Sequence, residues 1–158
     1  MKNRNVSHRK AIPTLLLALV LGCFSLSSAV LADKPNNDRS IVGMWRVVYS
    51  GDLVFESFDQ WHSDGTEIEV ANIFGLSCQG VFKQRADGTV RLFHTGWNFD
   101  ANGALIGYFN ENQTITVSTD GQTYDGTWII KDYDVNGNQL DEITGALHAT
   151  RLSVNTPL

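Results

Sequence analysis

The sequence predicts an all-β domain: an antiparallel up-and-down meander of eight or nine strands closing into a barrel. Three observations carry that prediction. Turn-forming pairs recur at Asp64-Gly65, Asp87-Gly88, Asn102-Gly103, Asp120-Gly121 and Asn136-Gly137, spaced 15 to 23 residues apart. Such pairs tolerate the positive φ that tight hairpins need. The segments between them are rich in Val, Ile, Thr, Phe, Tyr and Trp and alternate with a period of two. No proline lies between Pro35 and Pro157, so an open meander would present two unguarded edges, and closure removes them. A β-sandwich is the alternative arrangement. No window shows the 3.6-residue apolar period of a capped helix.

The chain begins with a different composition. Residues 1–32 hold Lys2, Arg4, Arg9 and Lys10, no acidic residue, and an uncharged run from Ala11 to Ala32. A basic start, an apolar stretch and the small-residue exit Val30-Leu31-Ala32 predict a secretory signal peptide removed after Ala32. An uncleaved anchor is one alternative, since 22 uncharged residues could just span a bilayer. A lipid anchor is another: Val20-Leu21-Gly22-Cys23 resembles the bacterial lipoprotein box, with Cys23 as the acylated residue. Each option places the folded domain outside the cytoplasm, secreted or periplasmic; where the signal is removed, no membrane span is expected.

Residues 33–40, DKPNNDRS, read as a short polar tether. The barrel domain is expected over 41–154, with a tail at 155–158. Strands are expected at 42–50, 53–61, 66–73, 78–86, 89–99, 104–110, 112–118, 123–133 and 139–153. The cleanest alternation is Thr66-Glu67-Ile68-Glu69-Val70, followed by Thr114-Ile115-Thr116-Val117-Ser118.

Charge excludes one class of partner. The whole chain has 12 Lys and Arg against 17 Asp and Glu, a net of −5. Residues 33–158 keep eight of the basic side chains and all 17 acidic ones, a net of −9. Nucleic-acid backbones need clustered Lys and Arg, so no nucleic-acid partner is expected. With Cys23 in the leader, Cys78 has no partner within the domain, and it reads as a small buried apolar residue.

Gly43-Met44-Trp45 resembles the Gly-x-Trp opening of the lipocalins and the wider calycins. The resemblance implies that Trp45 plugs one end of the barrel and that Arg151, near the end of the last strand, packs across it. An Arg over an indole face gains about 0.5–2 kcal/mol. Gly43, Trp45 and Arg151 are thus expected to be structural. The repeated Asp-Gly-Thr turns and the ending Ala149-Thr150-Arg151-Leu152 are similar to those of secreted bacterial proteins of uncharacterised role.

Strand parity suggests an aromatic interior. Ile68 and Val70 share one face of their strand, and Cys78, Gly80 and Phe82 share a face of the next. Phe93, Trp97 and Phe99 have one parity, as do Tyr124, Trp128 and Ile130. Convergence of these faces would line a ligand site with Phe82, Phe93, Trp97, Phe99, Tyr124 and Trp128. His94, of opposite parity to the aromatics around it, would have Tyr108 and Trp97 as neighbours. Glu67 and Glu69 share a face suited to acid–base work, but alternation with Ile68 and Val70 assigns them to solvent.

Other motifs point to structure. His62, His94 and His148 show no metal-ligand spacing, so no metal or cofactor is expected. Asp132-Tyr133-Asp134-Val135-Asn136-Gly137 opens like a calcium loop, but Ile143 stands at the twelfth position, where a bidentate Glu is required. A hairpin tip is the better reading. Asn112-Gln113-Thr114 is a glycosylation sequon, relevant in a eukaryotic source. No Gly-x-Ser-x-Gly, His-Glu-x-x-His or phosphate-binding loop is present.

The sequence therefore predicts a barrel that binds a small hydrophobic or amphipathic molecule in its interior. A calycin-like isomerase or cyclase acting on a hydrophobic substrate is the second expectation. A barrel with a filled core, acting as an envelope or interaction protein, is the third.

Overall fold

The computed structural model describes residues 39–73 and 77–156. The leader with Cys23, most of the tether and the last two residues of the tail lie outside the described residues. Eight strands follow in order: β1 (Gly43–Gly51), β2 (Phe55–Trp61), β3 (Thr66–Ala71), β4 (Ser77–Gln84), β5 (Thr89–Phe99), β6 (Leu105–Val117), β7 (Thr123–Asp134) and β8 (Gln139–Arg151). Each pairs antiparallel with its successor, and β8 returns to β1 with Trp45 opposite Arg151 and Gly51 opposite Gly145. The meander is a closed barrel, and no helix occurs among the described residues.

The count settles at eight because residues 105–117 form one strand. The expected strands 104–110 and 112–118 require a break at Glu111, within the polar run Asn110-Glu111-Asn112-Gln113. Instead β6 runs unbroken through it, with Glu111 opposite His94 on one side and Ile130 on the other. Glu111 and Gln113 are buried and point into the barrel. Polar residues mark the interior here, not a turn.

The five turns share a construction. The carboxylates of Asp64, Asp87, Asp100, Asp120 and Asp134 accept backbone N–H bonds from Thr66, Thr89, Asn102, Gln122 and Asn136, two residues on, at 2.8–3.0 Å. A glycine at positive φ completes each: Gly65, Gly88, Gly103, Gly121 and Gly137. This is the Asx-turn pattern, in which the side chain stands in for a backbone acceptor. Asp134 also accepts from the backbone and side chain of Asn138, at 2.9 and 2.8 Å, so the carboxylate of the calcium-like motif serves its own hairpin.

One end of the barrel is shut. Residues 39–42 cross it: Ile41 is fully buried, its N–H donates to Gln84 Oε1 at 2.9 Å, and its carbonyl accepts from Trp45 Nε1 at 2.8 Å. The Arg151 guanidinium lies 4.1 Å from the centroid of the Trp45 ring. It also donates to the carbonyls of Gly121 (2.6 Å), Val42 (2.8 Å) and Ser40. Gly43 is required for this packing, because a Cβ there would stand 2.6 Å from Arg151 Nη1. Trp45, Trp61 and Tyr124 fill the space above, with Tyr124 4.8 Å from Trp45 and 6.2 Å from Trp61. At the opposite end, where the β1–β2, β5–β6 and β7–β8 connections lie, the described residues leave the interior open.

Candidate functional site

Inward positions follow from the closed ladder: odd residues on β1, β2, β3, β6 and β8, even residues on β4, β5 and β7. Tyr124, Trp128 and Ile130 face in, as parity suggests, and Cys78 and Gly80 share the inward face of β4. On β3 and β5 the expected faces are reversed. Phe93, Trp97 and Phe99 are 43%, 60% and 54% exposed on the outside, whereas His94 is completely buried. Glu67 and Glu69 are 1% and 2% exposed, while Val70 stands half in solvent. Tyr108 lies outside against Trp97 (6.3 Å) and Tyr133 (5.0 Å), so neither Tyr108 nor Trp97 is a neighbour of His94.

The reversal has a physical cause. Apolar side chains inside would give the opposite parity, but the middle of this barrel is polar. Ser57, Asp59, Glu67, Glu69, His94, Glu111 and Gln113 are all buried. The signal was present in the ladder. Cys78 pairs with Glu69 and Gly80 with both Glu67 and His94, and cross-strand partners share a face. An inward β4 therefore forces all three polar residues inward.

His94 is the hub of this cluster. Its Nε2 lies 2.8 Å from Glu111 Oε2 and 3.6 Å from Glu69 Oε2. On the other side of the ring, Nδ1 is 3.4 Å from Glu67 Oε2, near enough for attraction but without a formed hydrogen bond. Gln113 Nε2 donates to Glu111 Oε1 and to the Tyr49 hydroxyl, both at 2.8 Å. Asp59 accepts from Ser57 Oγ (2.6 Å) and from the Tyr124 hydroxyl (3.1 Å). Gly80 makes room for the ring, since a Cβ there would meet His94 Cβ at 2.7 Å and Glu67 Oε2 at 2.8 Å.

Among the described residues, three buried glutamates surround one imidazole with Asp59 buried nearby, and no Lys or Arg is buried to offset them. Burial pushes Asp59 well above the ordinary carboxylate range, and the charges of Glu69 and Glu67 push the same way. Burial also raises Glu67, against the lowering effect of His94. Glu69 is pushed up to about 7, chiefly by burial, with His94 opposing and Glu111 adding to the rise. Burial alone would lower His94, but Glu111, Glu67 and Glu69 together hold it well above an ordinary imidazole. The tyrosines Tyr49 and Tyr124 are raised by burial and by the neighbouring acids, as is the Cys78 thiol.

Several buried polar atoms have no hydrogen-bond partner: both oxygens of Glu67, Glu69 Oε1, His94 Nδ1 and Gln113 Oε1. Each such group normally costs about 1–3 kcal/mol, more when charged. Trp61 Nε1 and His62 Nε2 are also unpartnered, and the atoms gathered around His94 make that cluster the candidate site.

A cavity of about 240 Å³ opens above the cluster at the unplugged end. Its walls are mostly apolar, formed by Leu53, Phe55, Ala71, Phe109, Ile130 and Ile143, with the hydrogen-bonded pair Asn98 and Asp132 among them, and Glu69, Glu111 and Cys78 reach it from below. At ~30 Å³ per water-sized group, it has room for roughly eight such groups. Of the residues the sequence suggested for a ligand site, Tyr124 and Trp128 are buried and Phe82 is half-buried, with its ring edge-on to Trp61 at 4.9 Å. None of these three lines the cavity. Phe93, Trp97, Phe99 and Tyr108 face the outside, and His94 lies under the floor.

His62 follows β2 and acts electrostatically on Glu67, so it stands at the edge of the cluster, whereas His148 is not part of it. His148, exposed on β8, has its Nδ1 2.7 Å from Asp125 Oδ1. No protein-family model matches the chain, and no curated protein matches it in sequence.

Proposed function

We propose that this protein is a lipocalin-like binding barrel. It would hold one small amphipathic molecule, with an apolar body between Phe55, Phe109, Ile130 and Ile143 and a polar head against Glu69 and Glu111. The observation that carries this reading is the cavity itself, mostly apolar on its walls and acidic on its floor, at the end of the barrel that the described residues leave open. Binding sites are concave and mostly apolar, with a few polar groups that fix orientation. A filled-core interaction protein would have no use for such a space. Kinship with the lipocalins and calycins is supported by the Arg151–Trp45 stack beside Gly43. The leader pattern of residues 1–32 supports a place outside the cytoplasm.

The test is native mass spectrometry of protein purified from its own source, followed by thermal-shift screening with short-chain lipids and small aromatics. Ala71→Phe, which fills the mouth, should abolish binding, while Trp97→Ser on the outer wall should leave it intact. No retained ligand, together with no shift across the panel, would overturn the reading.

A second reading is favoured by one specific arrangement. His94 and three glutamates face inward beneath the cavity, and inward acid–base groups are what proton-transfer chemistry requires. An isomerase or cyclase using Glu69 and Glu111 against a bound substrate would retain the same pocket. Conversion of a ligand found by the screen, lost in Glu69→Gln, would favour catalysis over binding.

A further inference from the structure

From the arrangement of Glu69, His94 and Glu111, we infer that the floor of the barrel is a binding site for one divalent transition-metal ion. The three residues come from different strands, β3, β5 and β6, and their ligand atoms all lie within 4.8 Å of one another. One imidazole nitrogen with two carboxylate oxygens is a donor set that suits zinc, manganese or iron(II). Calcium and magnesium prefer oxygen alone.

Three further features point the same way. The first is the unpartnered oxygen. Glu69 is 2% exposed, its Oε1 has no hydrogen-bond partner, and the side chain lines the cavity. A buried carboxylate oxygen left in that state is accounted for by a cation in front of it. The second is the surroundings of the ligands. Metal-binding histidines commonly direct the ring nitrogen that does not bind metal toward a carboxylate, which fixes the tautomer and orients the ring. Here Nε2 faces Glu69 and Glu111, and Nδ1 faces Glu67 at 3.4 Å. Glu111 is oriented in its turn by Gln113, which is held by Tyr49.

The third feature is charge. The buried acids outnumber the single imidazole, and a dication placed among them would offset the repulsion that Glu67, Glu69 and Glu111 exert on one another. The protein would supply three ligands and leave the cavity side open. Three protein ligands with a vacant position is the pattern of sites that bind an exogenous molecule.

This inference rests on the interior-binding reading only for what lies above the ion. A metal at the floor changes the class of head group the cavity would accept. Bare carboxylates select a cation or a hydrogen-bond donor, whereas a metal with an open position selects a Lewis base such as a carboxylate, carbonyl or hydroxyl oxygen.

The experiment is calorimetric titration of chelator-treated protein with Zn²⁺, Mn²⁺ and Co²⁺ alone, and with Mg²⁺ and Ca²⁺ in parallel. The expected result is one transition-metal ion per chain, visible ligand-field bands on loading with Co²⁺, and at least tenfold weaker binding of Mg²⁺ and Ca²⁺. Glu69→Gln should weaken the metal at least tenfold while raising the melting temperature of the metal-free protein, since it neutralises a buried charge without changing shape. Glu111→Gln and His94→Gln should weaken binding likewise. His148→Ala removes the exposed histidine and should change nothing. The inference is overturned by the absence of stoichiometric binding, by binding that follows His148, or by binding that Glu69→Gln leaves unchanged. Because no organic ligand is used, metal binding with an empty ligand screen would defeat only the reading of the cavity, and the converse would defeat only the metal site.

Discussion

His94 Nε2 and Glu111 Oε2 stand 2.8 Å apart in the middle of the barrel, both out of reach of solvent. They face each other because Gly80 beside His94 lacks a side chain and because β5 and β6 place the two residues directly opposite. In the metal-free protein this pair is the principal counterweight to the other buried acids. His94→Ala removes the imidazole and strands the carboxylates, so it should destabilise the fold by about 3–5 kcal/mol, the range for breaking a buried ion pair from one side. Glu111→Gln retains a side chain that can meet Gln113 and should cost less. Urea unfolding of both variants in chelator checks the order; equal losses would contradict it.

The stack of Arg151 on Trp45 should be equally sensitive to shape. Arg151→Lys keeps the charge but loses the planar fork that reaches Ser40, Val42 and Gly121 together. It should therefore behave more like Arg151→Ala than like the native protein, with both losing about 2–4 kcal/mol from charged hydrogen bonds and cation–π contact. Chemical denaturation measures this directly, and a fully stable lysine variant would show that charge alone suffices.

The outer placement of Trp97 makes a spectroscopic prediction. Trp45, Trp61 and Trp128 are buried, whereas Trp97 is 60% exposed. Iodide should quench only the Trp97 component of the emission, and Trp97→Phe should remove that component. The same substitution should alter stability by no more than about 0.5 kcal/mol, while Trp128→Ala should cost about 3–5 kcal/mol.

Stability should fall on both sides of a mildly acidic optimum. The turn aspartates Asp64, Asp87, Asp100, Asp120 and Asp134 are held below the ordinary carboxylate range by hydrogen bonds within their own turns. Their contribution is present above about pH 4, the ordinary aspartate value, and is lost as pH falls through their lowered folded values. Asp59 acts in the opposite sense. Its folded value is raised by burial and by Glu69 and Glu67, so the folded state is favoured at low pH and loses stability as pH rises above about 4 toward that raised value. Asp59→Asn should flatten the alkaline side of a denaturation-midpoint profile and leave the acid side unchanged. A variant profile that parallels the native one would contradict this assignment.

The turns and the closed meander were legible in the sequence because glycine, aspartate and asparagine act locally, within four or five residues of where they stand. The Trp45–Arg151 stack was legible because a three-residue motif marked it. The polar interior was not, because Glu67, Glu69 and His94 lie on strands whose other faces carry Ile68, Val70, Phe93 and Trp97. Each of those strands taken singly supports the opposite orientation. Only the pairing of Cys78 with Glu69 and of Gly80 with His94 decides between them, and that information is held between strands and not within any one of them. The same displacement of apolar residues explains why a soluble-looking composition leaves aromatic side chains on the outer wall.

The seam between β1 and β8 joins residues about a hundred positions apart in the chain. Contacts of such separation form slowly, because the intervening chain must first be brought to order. As the polypeptide emerges during synthesis, β1 is made early and stays an unpaired edge until residues 139–151 arrive. Through that interval its exposed ladder is the part of the molecule most open to a chaperone or to a neighbouring nascent chain, and the arrival of Arg151 ends it.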